Sequence, residues 1–412
     1  MDFNPKPSNI MHIDLNSCFA SVEQQANPLL RGKPIAVAAY NSPNGCILAP
    51  SIEAKRFGIK TGMRVKEGKL LYPKLIILTS DPDKYRFIHL KLRDLLNDYS
   101  ANVTPKSIDE FVIEMDCPKN FAPEIKKRIK EEIGDWLQVS IGVAPNRFLA
   151  KTAAGLHKPD GLDEINKDNF LEIFAKLKLM DLCGIKQNNC ARLNNEGIFT
   201  VMDFFNASRE KLQRAFHSII GKDWYLRLHG WDADNVIFGR RSYGNSFALP
   251  KPLVHPEELA PILQKLVEKT GIRMRNAGYN CQGVHVSLLY RDGSYWHHGE
   301  KTGGLLFDSR DIYKTAFEIM CRSPYRKPVA ILAESCFNLE KTRICQESLF
   351  EDLEKKKKLV EAVDKINHKW GEFVITPARM METNNLVPDR IAFGGIKELE
   401  ELFVAEAGIG PA

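Results

Sequence analysis

Two acidic clusters in this chain could do chemistry if folding brought them together. They are Asp14, after His12-Ile13, and the adjacent pair in Ser107-Ile108-Asp109-Glu110-Phe111. Three carboxylates in one place repel one another by several kcal/mol at low effective dielectric, so cations must neutralise them. Magnesium, a hard ion that prefers oxygen ligands, is the natural occupant. Such a set suits two-metal phosphoryl transfer, in which one ion lowers the pKa of an attacking hydroxyl and a second, about 3.5 to 4 Å away, neutralises the departing phosphate. On spacing alone the same acids read more readily as surface carboxylates at strand ends, where acids are common.

The elements that must carry these acids alternate strand and helix. An apolar stretch over 9–14 reads as a strand running into a turn or helix, which puts Asp14 at a strand end. A second strand is expected over 34–40, then a short helix over 52–57 closed by Gly58. Asp81 can cap the next helix, in which Tyr85, Ile88, Leu92, Leu95 and Tyr99 form one apolar face that needs a sheet to cover. Strands over 110–115 and 137–143, with a helix over 123–136 between them, supply that sheet. Adjacent Asp and Glu in an extended strand point to opposite faces, so a turn at Ile108-Asp109 must bend one of them if both are to meet one site.

From 170 to 215 the patterns are helical only, broken at Cys183-Gly184-Ile185 and Asn195-Glu196-Gly197-Ile198, which predicts a small all-helical domain. The basic, glycine-ended stretch Arg240-Arg241-Ser242-Tyr243-Gly244 reads as a linker. Beyond it come a strand (246–249), a helix (256–275), two strands (283–290 and 294–301), a helix (308–322) and a strand (329–336), which is the split β-α-β-β-α-β order. The charged tail carries a helix candidate over 349–370.

At 412 residues the chain exceeds one ordinary core, so several domains are expected. With 44% hydrophobic and 27% charged residues, and no apolar run of about 18, it has the composition of a soluble protein with no membrane partner. Its start, MDFNPKPSNI, lacks the basic and apolar regions of a secretory signal, so a cytoplasmic location is expected. Nine cysteines without a C-x-x-C pair give neither a disulfide framework nor a zinc cluster. A net charge of +6 is a weak hint of a polyanionic partner.

Three runs in order are specific: Ile13-Asp14-Leu15-Asn16-Ser17-Cys18-Phe19-Ala20-Ser21-Val22-Glu23, then Ser107-Ile108-Asp109-Glu110, then Ile141-Gly142-Val143-Ala144-Pro145-Asn146-Arg147-Phe148-Leu149-Ala150-Lys151. With them the chain resembles the Y-family translesion DNA polymerases. Arg31-Gly32-Lys33-Pro34, the segment from Glu53 to Met63, and His157-Lys158-Pro159-Asp160-Gly161 extend the likeness over roughly residues 9–380. The resemblance implies an α+β multidomain right hand. Its palm takes residues 1–24 and 82–167, its fingers 25–81, its helix-hairpin-helix thumb 168–240 and its little finger 244–340, with a tail over 341–412. It also implies a DNA-directed DNA polymerase of low fidelity that takes primer-template DNA and dNTPs and adds to a primer 3′ end opposite damaged template.

Residue by residue, the resemblance makes Asp14, Asp109 and Glu110 the catalytic metal ligands and Leu15 a further one, for two Mg2+ ions that Mn2+ can replace. Phe19 falls at the steric gate, where a ring under the sugar would clash with a ribose 2′-hydroxyl. Lys158 matches a lysine that reaches the incoming triphosphate. Ile52 and Lys55 stand where many members carry Tyr and Arg, and a lysine gives a point charge in place of a bidentate fork. The triphosphate grip is therefore expected to be weaker or differently distributed. Together with the long tail, these departures lean toward the UmuC branch, for which a UmuD-like accessory protein is the implied partner. The lysine-proline loop leans toward DinB.

Gly184 and Lys186, in Cys183-Gly184-Ile185-Lys186, resemble a thumb hairpin whose backbone N–H groups meet a DNA phosphate. Arg273, Arg275, Arg291 and Lys301 are candidates for the duplex contacts of the little finger. Gln346-Glu347-Ser348-Leu349-Phe350 resembles a sliding-clamp peptide, with Gln346 orienting while Leu349 and Phe350 fill an apolar pocket. Two rival functions stay open on residues alone: a catalytically weak polymerase-fold scaffold that binds DNA and a clamp, and a two-metal nuclease. Primer extension separates the three by longer, unchanged or shorter product.

Overall fold

The computed structural model describes residues 2–234, 239–341, 353–381, 383–389 and 391. These fall into two compact units, one reaching to 234 and including Ile391, the other running from 239 to 389.

In the first unit, strand β1 (Ile10–Leu15) leads through Ser17 into helix α1 (Cys18–Ala26). A small three-stranded sheet follows, made of β2 (Ile35–Ala38), β3 (Ile47–Pro50) and, after helices α2 (Ile52–Arg56) and α3 (Val65–Leu71), β4 (Ile76–Thr79). β2 lies in the middle, antiparallel to β3 and parallel to β4. Its core is slight, built on Ala36, Ala38, Ile47, Ala54, Ile59, Val65 and Leu75.

Helix α4 (Pro82–Asn97), strand β5 (Val103–Pro105), strand β6 (Glu110–Glu114), helix α5 (Pro118–Arg128), strand β7 (Val139–Ala144), helix α6 (Arg147–Leu156) and strand β8 (Leu162–Glu164) complete a five-stranded sheet. Its order is β5-β6-β1-β7-β8. β1 is central, so its apolar residues are buried on both faces, and it pairs antiparallel with β6 and β7. Gly142 lets α6 come close to β7, since a Cβ there would lie 2.1 Å from Ala150 O and Ala154 N. Two local expectations change. Asp81 makes no side-chain cap on α4 and pairs with Lys84 at 3.3 Å instead. Helix α5 starts at Pro118, ahead of the expected 123, because a proline at the first helical position costs no hydrogen bond.

Five short helices end this unit: α7 (Phe170–Lys176), α8 (Gln187–Asn195), α9 (Val201–Asn206), α10 (Arg209–Phe216) and α11 (Ile220–Leu228). The all-helical region thus runs past the expected limit of 215. Phe174, Phe204, Phe216 and Trp224 form its core, which continues into Phe148 and Leu149 of α6.

In the second unit, β9 (Ser242–Leu253), α12 (Pro256–Asn276), β10 (Tyr279–Tyr290), β11 (Tyr295–Leu306), α13 (Ser309–Cys321) and β12 (Val329–Lys341) follow the β-α-β-β-α-β order. The antiparallel sheet is ordered β11-β10-β12-β9. β9 begins inside the stretch read as a linker, because Tyr243 is buried with the Arg240 guanidinium 3.7 Å over its ring. Helix α14 (Leu353–Trp370) packs on this unit, Asp364 pairing with Arg275 and Lys356 with Asp311. Lys265 donates to Thr383 O at 2.6 Å and Lys269 to Val387 O at 3.3 Å, so residues 383–387, part of the stretch the sequence left unexplained, lie against α12. Among the described residues no helix is long and apolar enough to cross a membrane.

Candidate active site

The end of β1 sets Asp14 directly opposite Glu110 of β6. Asp109 lies in the bend just before β6, its carbonyl accepting from Leu15 N at 2.9 Å. That bend releases Asp109 from the strand's alternation. Its carboxylate accepts from the Ser107 hydroxyl. Burial raises the Asp109 carboxyl to about 6; the Ser107 hydrogen bond works against this, and the charges of Asp14 and Glu110 add to it. Nearby positive charge favours its ionised form.

A cavity of about 530 Å³ opens beside these acids, lined by Asp14, Leu15, Phe19, Lys55, Asp109 and Lys158 among others. With Ile52, seven of the residues picked out in the sequence thus share one cavity, while Glu110 stands opposite Asp14 on β6. Ser17 turns β1 into α1 with a left-handed backbone, φ 51°, a conformation that costs a non-glycine residue about 1 kcal/mol. Phe19 lies two residues beyond that turn. It is buried on one side, stacked on Tyr85 with ring centroids 4.3 Å apart, and Tyr85 donates in turn to Glu23 at 2.9 Å.

Lys158 Nζ lies 2.6 Å from Asp14. Its loop is tied down by Asn16, whose side chain accepts from Asp160 N at 2.7 Å and donates to Ser140 at 3.0 Å. Asp160 is further held by Lys126 at 2.9 Å and Lys130 at 3.2 Å. Lys55 sits on α2 across the cavity, its pKa lowered by burial and then by repulsion from Lys158, with Asp14 and Asp109 opposing.

The remaining candidates lie elsewhere. Gly184 takes φ +90° before α8, and Lys186 is the residue preceding that helix. Arg275 is spent inside its own unit: it forks onto Asp364 at 2.7 and 2.9 Å and donates to Phe307 O and the Ser309 hydroxyl. The guanidinium expected at DNA is thus engaged by α14 and the start of α13. Arg273 donates to Gly244 O at 2.7 Å. Gln346, Leu349 and Phe350 lie outside the described residues.

Sequence reasoning passed over four residues. His12, on the same face of β1 as Asp14, brings a ring nitrogen within 4.8 Å of the Asp14 and Glu110 oxygens. Strand alternation alone could have found it. Burial, then the charges of Lys151, Lys158 and Lys106, lowers His12 to about 3, so the ring is neutral. Lys151 of α6 donates to both oxygens of Glu110, a contact between distant segments that no local spacing announces. Arg56 and Thr61 line the cavity beside Ile52, so an arginine does stand at the wall, one position after the lysine.

Comparison with known proteins adds a lineage to this geometry. Residues 13–155 match the model of the impB/mucB/samB family, and residues 240–349 match the C-terminal domain of that family. The DNA polymerase IV of Pelotomaculum thermopropionicum is 32% identical over 396 residues, covering 92% of this chain and 97% of the relative. That of Moorella thermoacetica is 31% identical, with 89% and 94% covered. A Y-family DNA polymerase chimera, Dbh-Dpo4(243-245)-Dbh, shares the fold with a TM-score of 0.72 at 23% identity, covering 81% of this chain and 99% of that one. A solved insertion ternary complex of Dbh DNA polymerase is also similar, with a TM-score of 0.54 at 22% identity over 81% and 99%.

Proposed function

The chain belongs to the impB/mucB/samB family, the Y-family DNA polymerases, and is a DNA-directed DNA polymerase of translesion synthesis; from that premise we propose how its own residues carry the reaction. Asp14, Asp109 and Glu110, with the Leu15 carbonyl, would hold two divalent ions, Mg2+ by preference and Mn2+ in its place. A set of neighbouring carboxylates, one of them raised by burial and then by its neighbours' charge, fits hard cations. When bound, such ions activate the primer hydroxyl and neutralise the departing pyrophosphate.

The observation that carries this reading is the convergence of Asp14, Asp109, Phe19 and Lys158 on one cavity. Phe19, braced by Tyr85, excludes a ribose 2′-hydroxyl. Lys158 offers its ammonium to the triphosphate, and Arg56 and Thr61 share that task with Lys55, which redistributes the grip around Ile52. The five-stranded sheet serves as palm, the small sheet as fingers, the helices from α7 to α11 as thumb and the second unit as little finger. Gly184 and Lys186 meet the backbone of primer-template DNA, and dNTPs are the substrates.

Relatives matching nine-tenths of the chain bear the name DNA polymerase IV, which weighs for the DinB side over the UmuC lean of Ile52 and Lys55. A UmuD-like partner then falls away, a clamp contact through 346–350 stays part of the reading, and the cytoplasm, where bacterial DNA lies, is the place of action. The test is extension of a labelled primer on templates with and without a lesion. Longer product with Mg2+ and dNTPs, lost on chelation, is expected; shortened primer would make the chain a nuclease, and unchanged primer a scaffold.

A further inference from the structure

Glu110 is held from a second element. Lys151 of α6 places its ammonium 2.8 Å from Oε1 and 2.6 Å from Oε2, touching both oxygens at once. The base of that lysine is fixed, because Gly142 lets the α6 backbone close on β7. Beside Glu110 lies His12, 2% exposed, its Nε2 3.8 Å away and beyond hydrogen-bond reach. Neither ring nitrogen of His12 has a hydrogen-bond partner among the described residues, so that ring neither orients Glu110 nor charges it.

We propose that Lys151 is a positioning residue of the metal-dependent reaction, which fixes the carboxylate of Glu110 and, as a standing positive charge, holds down the affinity of the acid cluster for divalent cations. The inference rests on the reading of Asp14, Asp109 and Glu110 as the cation site. Three acids set against the ammonium groups of Lys151 and Lys158 leave at most one net negative charge for an incoming ion. A nucleotide triphosphate adds its own negative charge beside the cluster and draws on Lys158. Cation binding thereby becomes strong only when the nucleotide is present. Lys151 sets the size of that coupling.

The two consequences of removing Lys151 have opposite signs. A cation near Glu110 no longer competes with an ammonium and binds tighter, while Glu110 loses its fixed plane and turnover falls. A residue with a merely structural role would weaken both. The experiment measures Mn2+ binding to the full chain by the paramagnetic signal of free Mn2+, with and without dNTP, alongside kcat on a primed template. Circular dichroism checks the fold, and Lys151→Gln stands beside Lys151→Met in case the apolar variant folds poorly.

Both neutral variants are expected to tighten nucleotide-free Mn2+ binding about five-fold or more, from the loss of a unit charge a few ångström away. They shrink the tightening that dNTP confers, and they lower kcat about ten-fold or more, the usual scale for a misplaced reacting group. Lys151→Arg, which keeps the charge and whose fork can reach both Glu110 oxygens, returns Mn2+ affinity to about the parent value. Unchanged or weaker Mn2+ binding in both neutral variants overturns the proposal. Asp14→Asn separates the two levels: if it loses Mn2+ while the Lys151 variants bind like the parent, only the role of Lys151 fails. If it binds Mn2+ like the parent, the cation site itself is wrong and the proposal falls with it.

Discussion

The acids of the five-stranded sheet and the acid of the four-stranded sheet sit in contrasting company. Asp14, Asp109 and Glu110 meet at strand ends beside a cavity, and two lysine ammonium groups lie against them. Glu334 stands in the middle of β12, between Val286 and Asn245 on the flanking strands, and is 2% exposed. Its hydrogen-bond partner is the Thr270 hydroxyl. Burial pushes this carboxyl up to about 8, against the lowering influence of Thr270 and Arg273. An acid sunk alone in a sheet keeps its proton and serves packing, whereas acids grouped at an opening keep enough charge to serve a cation.

That contrast can be broken most decisively at the cluster. Asp109→Ala with Glu110→Ala should lower primer extension roughly 10³-fold or more, as loss of a metal site does. Primed-DNA affinity, read by fluorescence anisotropy, should stay near the parent value; extension that survives would remove the functional half of the comparison. Glu334 tests the other half. Because its folded pKa lies above the ordinary 4.5, the folded chain keeps a proton that the unfolded chain releases. Stability from this group is therefore full below about pH 4.5 and is lost as pH climbs to about 8. Glu334→Gln should flatten that fall, by on the order of 5 kcal/mol at pH 8.5 in denaturant titrations. An equally steep pH dependence in the variant would mean that Glu334 is ionised after all.

Smaller effects sharpen the picture. Phe19→Ala should raise ribonucleotide over deoxyribonucleotide use about 30-fold in kcat/KM, the scale of one lost steric contact with a hydroxyl. No change would return Phe19 to simple packing against Tyr85. Arg275→Ala should destabilise the second unit by about 2 kcal/mol by stranding Asp364, yet leave the salt dependence of DNA binding unchanged. A shallower salt slope would restore Arg275 as a phosphate contact.

Much of the framework could be read directly from residues. The strand ending at Asp14 follows from an apolar run, and the β-α-β-β-α-β order of the second unit follows from period-two and period-3.6 patterns. Boundaries slipped where local rules compete, as at Pro118, where a proline could start a helix as well as break one, and at Tyr243, whose burial draws a basic stretch into a strand. The candidate site was visible as motifs in order, but Lys151 and His12 were not singled out. One lies on a helix 41 residues from its partner, and the other looks like an ordinary strand residue.

By itself, then, the sequence determined what is periodic or local: which stretches form strands and helices, where the acids fall along them, and the motif order that marks a polymerase lineage. Tertiary structure decided which charges meet. The pairing of Lys151 with Glu110 and of Lys158 with Asp14, the stacking of Tyr85 under Phe19, and the diversion of Arg275 to Asp364 join residues far apart in the chain. Electrostatic energy depends on distance and burial, and neither is written in sequence separation. For that reason a carboxyl group lies against a lysine ammonium at the end of β1 and is a neutral packing element within β12.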